Sequence, residues 1–406
     1  MVLLWLSLLS PSVFASELPL REAFDRVLRS NPELLDYPYQ LRMADAAKLQ
    51  ADLVPNPTLG AEVENLLGTG ENRGLQGLQA TLSLSQLIEL GGKRDHRVAV
   101  ADAEAQRLTA EYGYRKLEIL AQTTARYYQV LALQQQQELK QRQRQRLETA
   151  LQLAQQRLDL GAAPAGELLR VQLQQRRLQA ELAEVAGKLE QARHQLSAMW
   201  AAPANFERVT GAFVELVLPS LARLDAAANA APELLRLLDS ERVLAARFNL
   251  LQASATADIT VGAGLRYNAG SDDAGIVLQA SIPWQRENPQ VGNLAANKAQ
   301  RKLVQQQQRS IRELLRAEVR VLRAQAATHQ ATLQEFNNRL LPLAEQLLKT
   351  TQNGYTQGIY SLLQLLDAQQ ELAQIEREIV QRRAAIYHTL LQLERLTGQA
   401  FVEVPL

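Results

Sequence analysis

Between Pro57 and Pro164 the chain contains no proline, and from Gly92 to Leu160, 69 residues, only Gly113 interrupts good helix formers. At about 1.5 Å per residue such a helix is a rod of roughly 100 Å, which a globular domain cannot use. Proline is also absent between Pro164 and Pro203, Pro289 and Pro342, and Pro342 and Pro405. Apolar residues in these windows advance in 4-3-4 steps. Leu147, Leu151, Ala154 and Leu158 mark the outgoing stretch, and Leu178, Leu182, Val185, Leu189, Ala192 and Leu196 the returning one. Later come Leu333, Phe336, Leu340, Leu343 and Leu347, then Ile375, Ile379, Ile386, Leu390 and Leu393, with Arg382 breaking the last series. This is a heptad seam. Gly161 and Gly358 stand where each rod must reverse, and glycine supplies the left-handed conformation that ends a helix. Two antiparallel helical hairpins follow.

A shift of about 200 residues superimposes the two halves, the mark of an internal repeat. Leu18-Pro19 matches Leu218-Pro219, Asn31-Pro32-Glu33-Leu34-Leu35 matches Ala231-Pro232-Glu233-Leu234-Leu235, Leu78-Gln79-Ala80 matches Leu278-Gln279-Ala280, and Gly92 matches Gly292. The expected organisation is a leader at 1–15, a first repeat at 16–217 and a second at 218–406. The hairpins fall at about 92–200 and 293–397.

Between the short N-terminal helix of each half and its hairpin the period changes from 3.5 to 2. Leu59, Ala61 and Val63 alternate with Glu62 and Glu64; Leu78, Ala80, Leu82 and Leu84 alternate with Gln79, Thr81, Ser83 and Ser85. The second half repeats the plan, with Ile259 to Asn268 and Ile276 to Ile282. Strands are expected at about 57–66, 75–86, 257–268 and 275–284, joined pairwise by the Gly-rich loops Gly68 to Gly74 and Ala269 to Gly275. Such strands, apolar on one face and polar on the other, suit a transmembrane barrel. Four are too few for a sandwich core, and a sheet in lipid cannot leave its edges unpaired. Copies are therefore required. Two chains give 8 strands and three give 12, and only the larger number leaves an appreciable aqueous lumen. The fold class expected is mainly α with a small β part: duplicated long helical hairpins forming an α-barrel, and four transmembrane strands per chain that close a 12-stranded barrel as a homotrimer.

Composition excludes several functions. The net charge of +1 gives no basic footprint for nucleic acid. Without cysteine there are no disulfides, thiolate metal sites or thiol nucleophiles. No phosphate-cradling spacing occurs, and the four histidines, His96, His194, His329 and His388, lack zinc-site spacing and read as helix-face residues. The expectation is no cofactor, no resident metal and no enzyme. The Gln134 to Gln137 and Gln305 to Gln308 runs read as hydrated helix faces. Residues 2 to 14 are a short apolar stretch before Ala15 that reads as a secretory signal, although no Lys or Arg precedes it. No later stretch reaches the length of a membrane helix.

The leader, duplicated halves, β-hairpins and long helical hairpins together resemble the TolC-like outer membrane efflux factors over nearly the whole mature chain. Glu89-Leu90-Gly91-Gly92-Lys93-Arg94 after the second strand resembles the signature of the cobalt-zinc-cadmium resistance branch. Tyr355-x-x-Gly358 leading to Leu365-Leu366-Asp367-Ala368-Gln369 is similar to the family's second helical tip. The resemblance implies a passive trimeric duct in the outer membrane of a Gram-negative bacterium, with a long periplasmic part. It also implies docking to a periplasmic adaptor and an inner-membrane RND-type pump, and heavy-metal cations as cargo. An organic-compound duct of the same fold is the alternative within the family; a periplasmic adaptor or an elongated coiled-coil protein is the alternative outside it. Two features depart from the branch. Ile282 to Asn293 replaces its usual Pro-Leu-Pro-aromatic run before an Arg-Asn-Gln-Gly turn, and there is no N-terminal cysteine to acylate, so the barrel and outer membrane lipid must anchor the chain.

Three constellations are candidates for function. Glu62 and Glu64 either form acidic rings in a threefold lumen, attractive to cations, or are ordinary solvated carboxylates. Gly91 and Gly92 mark the turn from strand to helix, with Lys93 and Arg94 placed to meet lipid phosphates, carboxylates of a neighbouring protomer or substrate. Gly161, Glu167, Gly358, Gln364 and Asp367 mark the periplasmic tips and adaptor docking. There Glu167 either steers cations and contacts the adaptor or favours a helix N-terminus by its charge.

Overall fold

The computed structural model describes residues 17–214 and 217–401, and the leader expected at residues 1–15 lies outside the described residues. In chain order the elements are β1 (Glu17–Leu18), α1 (Leu20–Ser30), α2 (Pro32–Leu35), α3 (Tyr37–Ala51), β2 (Thr58–Glu64), β3 (Gln79–Ile88), α4 (Lys93–Asp159), α5 (Ala165–Ser197), β4 (Arg208–Val209), α6 (Leu221–Asn229), α7 (Pro232–Ala253), β5 (Ile259–Asn268), β6 (Asp273–Ser281), α8 (Val291–Glu335), α9 (Leu341–Thr356) and α10 (Leu362–Thr397). The chain is mainly helical with a small β part. Helix α4 runs 67 residues and passes Gly113 without a break. One glycine costs a helix only about 1 kcal/mol, too little to end so long an element.

The chain divides into two compact units. Among the described residues the first comprises 17–36, 113–232 and 312–401; the second comprises Tyr37–Tyr112 and Glu233–Ile311. Each draws on both halves of the sequence, so the repeat is one of elements, not of separately packed bodies.

In the first unit, α1 buries Leu20, Ala23 and Val27 at helical spacing. Strand β1 pairs in parallel with β4, Leu18 opposite Val209, a two-stranded sheet too short for its alternation to show in sequence. Beneath it Tyr127 is buried, its hydroxyl 2.8 Å from the Leu18 carbonyl oxygen and 2.6 Å from that of Thr210. The repeated Asn31-Pro32 and Ala231-Pro232 steps play matching parts: each proline opens a helix, and Leu34 and Leu234 are both buried.

The seam of the first hairpin is as the spacing predicts, with Leu147, Ala154, Leu178, Val185, Ala192 and Leu196 all buried. The second hairpin departs from it. Between α8 and α9, Phe336–Leu340 form a π-helical turn just before Pro342, which has no amide hydrogen to donate. The wider turn advances the helix face by one residue. Leu343 and Leu347, expected on the seam, are 62% and 47% exposed, and the seam continues instead through Ala344, Leu348, Thr351 and Tyr355.

In the second unit β2, β3, β5 and β6 form one antiparallel sheet in that order, joined centrally by β3 and β5. Strand β6 begins at Asp273, two residues earlier than the pattern suggests, because Asn268 and Asp273 pair to close the hairpin. It ends at Ser281, ahead of Pro283, and Trp284 beyond it is exposed. Among the described residues no helix is long and apolar enough to cross a membrane.

Candidate functional site: sheet faces, strand-helix junction and helical tips

The register assigns every strand residue to one of two faces. Leu59, Val63, Leu82, Leu265, Ile276 and Leu278 share the apolar face and are exposed, Ile276 and Leu278 by 78% and 80%. An apolar surface of this extent, on strands that alternate with polar residues, has the character of a lipid-facing wall. On the opposite face stand Glu62 and Glu64, as expected. Arg266 stands beside them. Its Nε donates to Thr81 Oγ1 at 2.9 Å, and its guanidinium lies 3.6 Å from Glu64. Glycines fill this face where bulk has no room. A Cβ on Gly264 would fall 2.6 Å from the Leu82 carbonyl oxygen, and one on Gly262 2.8 Å from the Gln279 amide.

At the junction of β3 and α4, Gly91 and Gly92 both take the left-handed conformation, φ +77° and +69°. A Cβ on Gly91 would come within 3.1 Å of the Ala253 carbonyl oxygen. The turn is locked by Asp258, just before β5, whose Oδ1 accepts from Lys93 Nζ at 2.7 Å and from the Leu90 amide at 2.9 Å. Arg94 donates to the Asp52 carboxylate and carbonyl at 3.0 and 2.9 Å. Arg97 forms a two-pronged pair with Glu89 and reaches the Ala51 and Leu53 carbonyl oxygens. Lys93 and Arg94, expected to face lipid phosphate or a neighbouring protomer, thus find carboxylates within their own chain. Burial pushes the Asp258 carboxyl up, but Lys93, the Leu90 amide and Arg97 outweigh it and hold it below the ordinary aspartate value.

Both tips end in left-handed glycines, Gly161 and Gly358, with φ +68° and +77°. At the first, the Ala162 amide donates to the Arg157 carbonyl at 2.8 Å; at the second, the Ile359 amide donates to that of Gly354 at 2.8 Å. These bonds satisfy the last carbonyls of each helix. The two hairpins meet here. Tyr355, fully buried, donates its hydroxyl to Glu167 at 2.9 Å, while Arg157 lies 4.7 Å over its ring and donates to its carbonyl at 2.8 Å. Burial, then the Glu167 carboxylate, pushes the Tyr355 phenol up to about 12. Glu167 therefore does more than charge the first turn of α5. Gln364 is spent locally in a capping box with Ser361, and Asp367 is exposed on α10.

Three residues that matter escaped the sequence reading as site residues. Arg266 is visible there only by its parity on a strand, and Asp258 only as an acid ahead of one. Arg157 shows only as a base in the last turn of a helix, where the dipole favours it. His329 lies against Arg382, 3.4 Å away, and burial with that charge lowers its pKa. Among the described residues no group of three or more His, Asp or Glu is placed to hold a metal.

Residues 23–202 match the family model for outer membrane efflux proteins. The chain is 26% identical to the cobalt-zinc-cadmium resistance protein CzcC of Cupriavidus metallidurans, over 96% of this chain and 92% of that protein. Its fold is similar to that of the outer membrane protein VceC of Vibrio cholerae, at 19% identity and TM-score 0.74, covering 94% of this chain and 97% of VceC. It is also similar to the open-state MtrE outer membrane channel of Neisseria gonorrhoeae, at 16% identity and TM-score 0.68, covering 96% and 93%. Over residues 23–202 the chain is therefore similar to the outer membrane efflux protein family, and over nearly its whole length it shares the fold of outer membrane channels.

Proposed function

We propose that the protein is an outer membrane efflux channel of a Gram-negative bacterium, which works as a homotrimer and conducts heavy-metal cations passively to the exterior. The observation that carries the reading is the sheet itself. It has an exposed apolar face, and its edges, β2 and β6, have no further strand to pair with among the described residues. In lipid each unpaired backbone group costs several kcal/mol, so the edges call for neighbouring copies. Three copies supply the 12 strands that leave an aqueous lumen. Similarity to a protein named for cobalt, zinc and cadmium resistance supports the cargo. A periplasmic adaptor and an inner-membrane RND-type pump are the partners, with the tips around Gly161, Glu167, Gly358, Gln364 and Asp367 as the docking end.

Deletion of the gene in its host is expected to raise cellular zinc, cobalt or cadmium and leave resistance to organic toxicants unchanged, measured as metal content and growth thresholds. A rise in organic sensitivity alone would transfer the cargo to organic compounds and keep the duct. Lengthening the turn from Gly161 to Gly166 is expected to impair export with trimers intact on native gels. Normal export from that variant would count against docking at the tip.

A further inference from the structure

The charged residues of the polar sheet face are all gathered at one end. The row nearest the hairpin loops reads Glu64, Gln79, Asn268, Asp273, and the next reads Glu62, Thr81, Arg266, Gly275. The rows beyond, toward the helices, carry only Gly, Ser, Thr, Gln and the apolar Val277 and Leu87. Three carboxylates in two adjacent rows, repeated around a threefold lumen, would form a dense acidic collar. Such a collar attracts divalent cations and also holds them, and a pore must release what it admits.

Arg266 interrupts the collar. It belongs to the second row but leans toward the first, 3.6 Å from Glu64, and Thr81, only 7% exposed, fixes its Nε at 2.9 Å. Glu62, in its own row, forms no ion pair among the described residues. Both members of the Arg266–Glu64 pair remain part-exposed, so the pair adds little to stability. Its consequence lies in the field along the polar face.

We propose that Arg266 is a specificity-determining residue of the channel: by neutralising Glu64 it leaves Glu62 and Asp273 as the free acids of a thinned collar, so that divalent cations pass without being captured. The proposal rests on the trimeric barrel with its polar face inward. A fixed guanidinium beside a carboxylate cancels most of its field beyond a Debye length, about 8 Å at physiological salt. Removing it restores the full collar.

The test is single-channel conductance of the full-length protein in planar bilayers, with zinc chloride as the probe. The wild type is expected to carry potassium current that zinc barely reduces. R266Q is expected to raise the potassium-over-chloride permeability ratio and to lower the half-blocking zinc concentration about tenfold. The E64Q/R266Q double variant returns zinc block to the wild-type range, and R266K keeps it there. If R266Q does not insert, E64Q decides: with its guanidinium uncovered, the permeability ratio falls at least about twofold. Unchanged zinc block in an inserted R266Q, or an unchanged ratio in E64Q, overturns the role of Arg266 with the barrel intact. A wild type that forms neither trimers nor channels overturns the barrel reading itself, and this inference with it.

Discussion

Replacing Tyr355 by alanine is expected to destabilise the first unit by about 3–5 kcal/mol, the usual cost of removing a buried large aromatic side chain. Three losses coincide there. The ring leaves a void among Val171, Leu362 and Leu365, Arg157 loses the surface over which it lies, and Glu167 loses its donor. The midpoint of thermal unfolding followed by helical circular dichroism should fall by many degrees; a shift of a degree or two would show that the tip is not held by this residue. Tyr355→Phe separates the terms. It keeps the ring and removes the hydroxyl, so its cost should be near 1 kcal/mol, that of one hydrogen bond. The pH dependence has a definite sign. The folded phenol titrates at about 12 against an ordinary value near 10. Its contribution is therefore complete below pH 10 and is lost as pH rises through 12. The wild type should lose stability over that alkaline window, and Tyr355→Phe should lose less of it.

Asp258→Ala is expected to have the next largest effect, about 2–4 kcal/mol, because it leaves the Lys93 ammonium in a mostly buried position without its counter-charge and the Leu90 amide without an acceptor. Asp258→Asn retains an acceptor and should cost less. The measurement is the fraction of chain recovered folded and inserted, with thermal unfolding of what is recovered. If Asp258→Asn combined with Lys93→Met recovers better than Lys93 left alone with asparagine, the cost belongs to the uncompensated charge; additive losses would place it elsewhere. Here the pH sign is opposite to that at Tyr355. A carboxyl held below the ordinary aspartate value contributes fully above that value, and the contribution is lost as pH falls below it through the folded pKa. Acid loosens this junction, whereas alkali loosens the tip.

The two sites also differ in how far sequence reveals them. At the tips, Gly161 and Gly358 announce the turns because few other residues adopt the left-handed angle that ends these helices. The contact between the tips joins residues 188 positions apart, Tyr355 to Glu167, and no local pattern encodes it. At the junction, Gly91-Gly92-Lys93-Arg94 is conspicuous in sequence, but its partner Asp258 lies 165 residues downstream of Lys93. The motif therefore suggests partners outside the chain until the fold supplies one within it.

Periodicity determined the large features. The proline-free windows define long helices, the change from period 3.5 to 2 defines four strands with one apolar face, and the 200-residue repeat defines two of each hairpin. These depend on residues close together in the chain, where spacing alone sets which side chains share a face. The tertiary structure decided what depends on phase and on distant pairing. The π turn before Pro342 moves the seam from Leu343 and Leu347 to Ala344 and Leu348, a one-residue slip that a repeat of sevens does not show. The register of β3 against β5 brings Arg266 to Thr81 and Glu64, turning two acids and a base into an ordered set. A heptad or an alternation fixes which residues face one way; only packing across the chain fixes what they face.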